Sequence, residues 1–174
     1  MNRYSTAQRS LHWIVLILIV LAYVSMEFRS EFPRGSSGRV FMVQSHFWLG
    51  IAILGLFIPR VLARFKHGVP PIEPSLPGWQ ANLGKLLHIA IYAFLLIQPL
   101  LGLATVWTDG KAIMLPFTDI QLPALLAENE VLAHQLEDLH KLLANIFYFL
   151  VGLHVLAALY HHFVRKDDTL KRMT

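Results

Sequence analysis

The stretch LHKLLANIFYFLVGLHVLAALYHHF, residues 139–163, decides how this chain is to be read. It is apolar over a length that crosses a hydrocarbon core of about 30 Å, at about 1.5 Å of rise per helical residue. It nevertheless carries imidazoles at His140 and His154, and an ionisable side chain inside a membrane span is a functional-site hypothesis by default. Their spacing of fourteen residues is close to four helical turns, so both rings point the same way, about 21 Å apart along the axis. Two metal-binding side chains at opposite depths on one helix face imply two centres stacked across a membrane, the arrangement of an electron wire.

Working outward, three further apolar runs, 10–28, 40–63 and 83–107, join 139–164 as spans long enough for the bilayer. Only 15% of the 174 residues are charged and 55% are hydrophobic, against about 25% charged in ordinary soluble domains. The expected fold is an all-α membrane protein, one four-transmembrane-helix bundle forming a single domain over 1–174. Arg3 and Arg9 precede the first run as they would in a secretion signal, but the run is long for one and lacks an A-x-A site, so a retained helix is expected. The chain has no cysteine. That excludes thiolate-ligated haem, iron–sulfur clusters and C-x-x-C-H attachment, and leaves histidine or methionine as ligands for any haem.

Lysine and arginine set the orientation. With the N-terminus inside, ten basic residues fall on the inner side (Arg3, Arg9, Arg60, Arg64, Lys66, Lys85, Arg165, Lys166, Lys171, Arg172). Five fall outside (Arg29, Arg34, Arg39, Lys111, Lys141), so both termini are expected to be cytoplasmic. The net charge of +4 then belongs to the inner membrane surface, and no nucleic-acid partner is indicated. The outer loops hold eight acids, with Arg29, Arg34 and Arg39 clustered in one of them. The inner link 66–84 is proline-rich and reads as extended. The outer link 108–138 contains LLAENEVLAHQLEDLH, a helix-compatible stretch leading straight into the fourth span.

Depth, counted from the outer end of each span at about 1.5 Å per residue, sorts the histidines. His12 lies roughly 24 Å below Phe28 and His154 roughly 22 Å below Leu139, an inner pair. His46 lies roughly 9 Å below Val40 and His140 is near the outer start of its span, an outer pair. A lone intramembrane histidine more often bonds a neighbouring helix than a metal. Four rings in two depth-matched pairs shift that balance towards two bis-imidazole b-type haems. Gly50, Gly102 and Gly152 are small residues near the ligands that would leave room for a macrocycle, although glycines in membrane helices are commonly packing devices. Arg60, fourteen residues after His46, is a partner for inner haem propionates, or a residue that simply snorkels. Arg34 and Arg39 would serve the outer haem.

His161 and His88 fall deeper than the inner pair by the same count. His161 shares the His154 face and suits a hydrogen bond to a quinone carbonyl, with His88 or Trp13 completing the pocket; Trp13 reads better as an interfacial anchor. His162, His67 and His134 are expected to be solvated.

The residues just described resemble those of the bacterial cytochrome b561 family, the di-haem proteins that include superoxide oxidase. The resemblance rests on RSLHW (9–13), MEFRSEFPR (26–34), the His46 segment, LLHIAIYAFLLIQPLLGL (86–103), and 139–163 with RKDDTL after it. It covers nearly the whole chain, and the order and spacing of these strings make it specific. It implies His12 and His154 as ligands of one haem and His46 and His140 as ligands of the other, the pairing that depth gives independently. It implies a multi-pass protein of the bacterial inner membrane that oxidises superoxide to dioxygen on the periplasmic side and reduces ubiquinone, a superoxide:ubiquinone oxidoreductase. The rival is a cytochrome b anchor subunit exchanging electrons with a redox partner protein such as a dehydrogenase or hydrogenase, docked on 108–138. A metal-ion carrier is a third reading, opposed by the lack of a central carboxylate in any span.

Overall fold

The computed structural model describes residues 3–116 and 118–174. Four long helices carry the chain: α1 (Thr6–Phe28), α2 (Ser37–His67), α3 (Gly78–Thr108) and α4 (Glu130–Tyr160). All four are long and apolar enough to cross a membrane, so the architecture is the expected all-α four-span bundle. A 3₁₀ turn (Arg29–Glu31) follows α1 and a π-helical turn (His161–Arg165) follows α4. Among the described residues the one isolated β-bridge joins Met114 to Gln121.

Each helix starts earlier than its apolar run, and in α1, α2 and α4 a capping side chain, not hydropathy, sets the first turn. Ser5 accepts from the Gln8 amide while the Gln8 side chain accepts from the Ser5 amide, a reciprocal capping box that starts α1 at Thr6. Ser36 accepts from the Arg39 amide at the start of α2. Asn129 accepts from the Leu132 amide at 3.0 Å, so α4 begins at Glu130 and runs unbroken through the acidic stretch into the membrane. His134 is therefore helical, as is His67 in the last turn of α2, although both are exposed as expected. The inner link shortens to 68–77, since Gly78 already belongs to α3. Gly68, at φ +65°, ends α2 in the left-handed region where a side chain is disfavoured.

Few side chains are enclosed. Ile17, Leu62, Leu86 and Phe149 are among many large apolar residues that face outward, as lipid-solvated side chains must in a bundle whose backbone is satisfied within each helix. The core is a single layer with one residue from each helix, Val15, Ile53, Leu95 and Phe147. Phe147 stacks on Phe94 at 5.2 Å between ring centroids, and lies midway between His140 and His154 in sequence. α1 packs closely on α2 and α3 on α4, with a lighter contact between α2 and α3.

The two ends of the bundle are finished differently. At the end with the termini, the tail is bound down: the Arg172 carbonyl accepts from the Tyr4 amide, Arg9 reaches the Thr174 carbonyl at 2.6 Å, and Trp13 donates to the Met173 carbonyl at 2.9 Å. At the opposite end a short hairpin, closed by bonds from Leu115 to Ile120 and from Leu122 to Ile113, is clipped to α2. Gln44 donates to the Ala112 carbonyl and accepts from the Met114 amide, both at 2.9 Å, and Trp48 donates to the Met114 carbonyl at 2.7 Å. Gln44→Ala removes two of these three bonds. The expected result is roughly ten- to hundred-fold faster amide exchange at Met114, corresponding to about 1–3 kcal/mol for a stranded polar group. Unchanged protection there would show that the clip does not hold the hairpin.

Candidate functional site

The histidines converge in two places. His46 on α2 faces His140 on α4, with ring centroids 6.2 Å apart. His12 on α1 faces His154 on α4, also at 6.2 Å. Two imidazoles on opposite sides of one metal, each with its nitrogen about 2.0–2.1 Å from the ion and its centroid about 1.1 Å further back, stand about 6.3 Å apart. Both pairs match that spacing. His88 also reaches His154, but at 5.3 Å it is too close to share a metal with it in the same way. That contact puts His88, expected at a deeper level, within reach of the inner pair.

Backbone spacing favours a flat ligand at both places. Among the described residues, α4 makes no close backbone approach to α1 or α2, and these are the gaps the two pairs bridge. A side chain at Gly102 on α3 would begin 3.2 Å from Cε1 of His140, so glycine there lets the ring stand where it does. A Cβ at Gly50 or Gly152 would meet no protein atom within 4 Å.

The hydrogen bonds assign the ring protons. Nδ1 of His46 lies 2.9 Å from the Ala22 carbonyl, which only accepts, so Nδ1 donates and Nε2 keeps the lone pair a metal needs. His88 donates from Nδ1 to the Gly84 carbonyl at 2.6 Å. At His12 the order is reversed. A guanidinium only donates, and Arg60 Nη2 lies 3.1 Å from His12 Nδ1, with Nη1 3.3 Å from the Leu11 carbonyl. His12 is therefore ready to ligate through Nε2 only once Arg60 takes another acceptor. Nδ1 of His140 and Oε1 of Gln98 are buried without a hydrogen-bond partner, while Gln98 Nε2 donates to the His140 carbonyl at 2.7 Å. Orphaned polar atoms in an apolar bundle are costly, and their concentration at the His46/His140 place is what a polar or metal-bearing ligand would relieve.

The chain matches the family described as Prokaryotic cytochrome b561 over residues 3–174. It belongs to that family. The cytochrome is 37% identical to Cytochrome b561 homolog 1 of Escherichia coli (strain K12), over 99% of this chain and 97% of that protein. It is 40% identical to Probable superoxide oxidase CybB of Yersinia pestis, over 99% and 96%, and 29% identical to Cytochrome b561 homolog 2 of E. coli, over 99% and 91%. Membership makes it an electron-transfer cytochrome of the bacterial inner membrane, crossing it several times, and implies b-type haem as its cofactor.

Arg60 lies beside His12 and over the Tyr92 ring at 5.4 Å. Arg39 is committed to the Arg29 and Phe32 carbonyls at 3.2 and 3.3 Å. His161 does not present both nitrogens to a ligand, because Nδ1 is 2.6 Å from Asp167 Oδ2. His162 is half-buried, with its Nδ1 enclosed without a partner. Sequence reading missed Gln98, and also Tyr23, whose hydroxyl donates to the Ala144 carbonyl of α4 at 2.7 Å. Polar residues buried in an apolar run were the available signal in both cases. At the hairpin end a cleft of about 390 Å³ is lined by Arg39, Gln44, Phe47 and Lys111, flanking His46.

Proposed function

We propose that the cytochrome holds two b haems, one between His12 and His154 and one between His46 and His140, within a single unit spanning 1–174. In this reading electrons pass from superoxide at the hairpin end, taken as periplasmic, to ubiquinone at the end with the termini, taken as cytoplasmic. The observation that carries it is the pair of opposed imidazole sets at metal-bridging distance, about 21 Å apart along α4. The relative named Probable superoxide oxidase supports superoxide as donor.

When bound, haem supplies one-electron relay without needing an open coordination site. The chain's own residues do the rest. Four imidazoles fix the two sites, and the Phe94/Phe147 stack and its core layer exclude water between them. The cleft lined by Arg39 and Lys111 gives an anionic one-electron donor an approach to the His46 side. Arg60, next to His12, would be the group to pair with a carboxylate of the cofactor, and giving up the ring nitrogen would free His12 to ligate. Two superoxide ions give up one electron each and leave as dioxygen; one ubiquinone takes both electrons and two protons.

The test is the haem-to-protein ratio of detergent-purified protein, followed by superoxide pulses with and without a short-chain ubiquinone. Two b haems per chain and one quinol per two superoxide ions are expected. One haem per chain, or haem reduction that never reaches the quinone, would sink the reading. Stoichiometric co-purification with a dehydrogenase, and inactivity without it, would select the anchor-subunit alternative. A further expected result concerns Arg60→Leu. Loss of a positive charge beside the His12 site lowers that haem's midpoint potential by on the order of 50 mV, and leaves the other unchanged in a potentiometric titration. Equal shifts in both would place Arg60 elsewhere in the mechanism.

A further inference from the structure

α4 is regular to Tyr160, then loosens into the π-helical turn His161–Arg165. Lys166 follows in the left-handed conformation, φ 58° and ψ 30°, unusual for a residue with a side chain. The chain thereby folds back, and the Asp167 amide bonds the His161 carbonyl at 3.1 Å. The result is a carboxylate set directly against an imidazole. Asp167 Oδ2 is 2.6 Å from His161 Nδ1, and its side chain is fully enclosed while that of His161 remains 15% exposed. The Thr169 amide donates to Asp167 Oδ1 at 3.0 Å, and Arg165 Nε stands 3.4 Å from Oδ2.

A tail turn does not need a buried charge. Serine or asparagine would accept from the Thr169 amide equally well, without the desolvation a carboxylate suffers. What the carboxylate adds is a negative charge behind one nitrogen of an imidazole. That fixes the proton on Nδ1 in the neutral ring, and it supports the doubly protonated ring at the moment a proton is to be given away. His161 lies seven residues beyond His154 on the same α4 face, about 10.5 Å further along the axis. Nε2 is the nitrogen left for a partner from outside the dyad. Burial alone would raise the Asp167 carboxyl, but the bonds from His161 and Thr169 outweigh it and hold it below the usual carboxylate range.

We propose that Asp167 is a positioning residue that holds His161 to deliver a proton from Nε2 to a quinone oxygen at this end of the bundle. The proposal rests on the reading that ubiquinone is reduced here. In each quinol formed, two electrons come from the donor through the cytochrome, one proton from His161 Nε2, and one from the adjacent aqueous phase. The ring left neutral keeps Nδ1–H on Asp167 and regains its Nε2 proton from water. Tyr160 packs edge-on to His161 at 5.8 Å, Arg165 also bonds Gln80 of α3, and the neighbouring Asp168 is paired with Arg172 and accepts from the Glu73 amide of the inner link.

The experiment uses haem-loaded protein carrying Asp167→Asn or His161→Gln. Asp167→Asn keeps the shape and an acceptor but loses the charge. Its haem content and reduced spectrum should match the native protein. Its kcat for short-chain ubiquinone should fall at least tenfold at pH 7.5 with KM within about twofold, and the alkaline fall of its rate profile should begin at lower pH. His161→Gln should be slow and flat across the same range. Independently of turnover, nitrogen-15 histidine spectra should contain a doubly protonated ring signal that His161→Gln deletes and that Asp167→Asn loses at lower pH than the native protein. Native kcat and an unshifted profile in Asp167→Asn would overturn the proposal, as would a purely KM effect. If Asp167→Asn fails to assemble, His161→Gln decides alone, since a native rate profile there removes the proton donor. A protein with both haems that reduces no quinone fails the functional reading instead, and the nitrogen spectra still report whether the dyad exists.

Discussion

Alanine at His154 is expected to halve the haem content, leaving one b haem per chain with its spectrum and potential intact. His154 is the α4 member of the pair with His12, and alanine offers no ligand. His88 is near enough to touch His154 but does not replace it. The bond from its Nδ1 to the Gly84 carbonyl at 2.6 Å leaves Nε2 free, as at His46, but fixes the ring on α3, whereas the gap to be bridged from His12 opens onto α4. The His46/His140 pair should survive, since the core layer of Val15, Ile53, Leu95 and Phe147 lies between the two places and couples them weakly. Electron flow should fall by two orders of magnitude or more, because the remaining centre is about 21 Å from the lost one. Pyridine haemochrome analysis and a redox titration check this directly. Loss of both haems would mean that α4 is not held independently at its two ends; retention of both would show that the pairing is wrong.

Leucine at Gly102 is expected to give the reciprocal result, loss of the haem between His46 and His140 with the other retained. The reason is steric. A Cβ at position 102 would already stand 3.2 Å from Cε1 of His140, and three further carbons leave the ring no place to remain 6.2 Å from His46. His140 cannot retreat freely either, since its carbonyl is held by Gln98 at 2.7 Å. Alanine at the same position should be mild, because a shift of a few tenths of an ångström relieves one methyl group. A graded series Gly, Ala, Leu in which haem occupancy falls only at leucine would identify close approach as the cause. Full occupancy at leucine would mean that His140 is not a ligand.

The two expected losses are complementary. His154 and its pairing with His12 are readable from hydropathy and helical rise, because in a bilayer the apolar edge of a helix marks a physical level. That is why counting from Leu139 works even though α4 begins nine residues earlier, at Glu130. The same count gives no sign that His88 touches His154, because side-chain reach across helices decides contact. Gly102 was noticed as a small residue, yet nothing in its neighbourhood says which ring it accommodates. His161 was legible as an inner histidine on the His154 face. Its partner was not, since RKDDTL reads as a solvated charged tail until a left-handed Lys166 turns Asp167 inward.

By itself, the sequence determined the class, the number of spans, the four intramembrane imidazoles and their division into two levels. These follow from one-dimensional quantities: apolar length against bilayer thickness, and residues multiplied by rise. Only the tertiary structure decided which helices stand apart to admit a ligand, that Arg60 binds His12, that Gln44 and Trp48 clip the hairpin, and that Asp167 backs His161. Those contacts join residues far apart in the chain, and their existence depends on how helices rotate and pack, for which periodicity along a single helix carries no information.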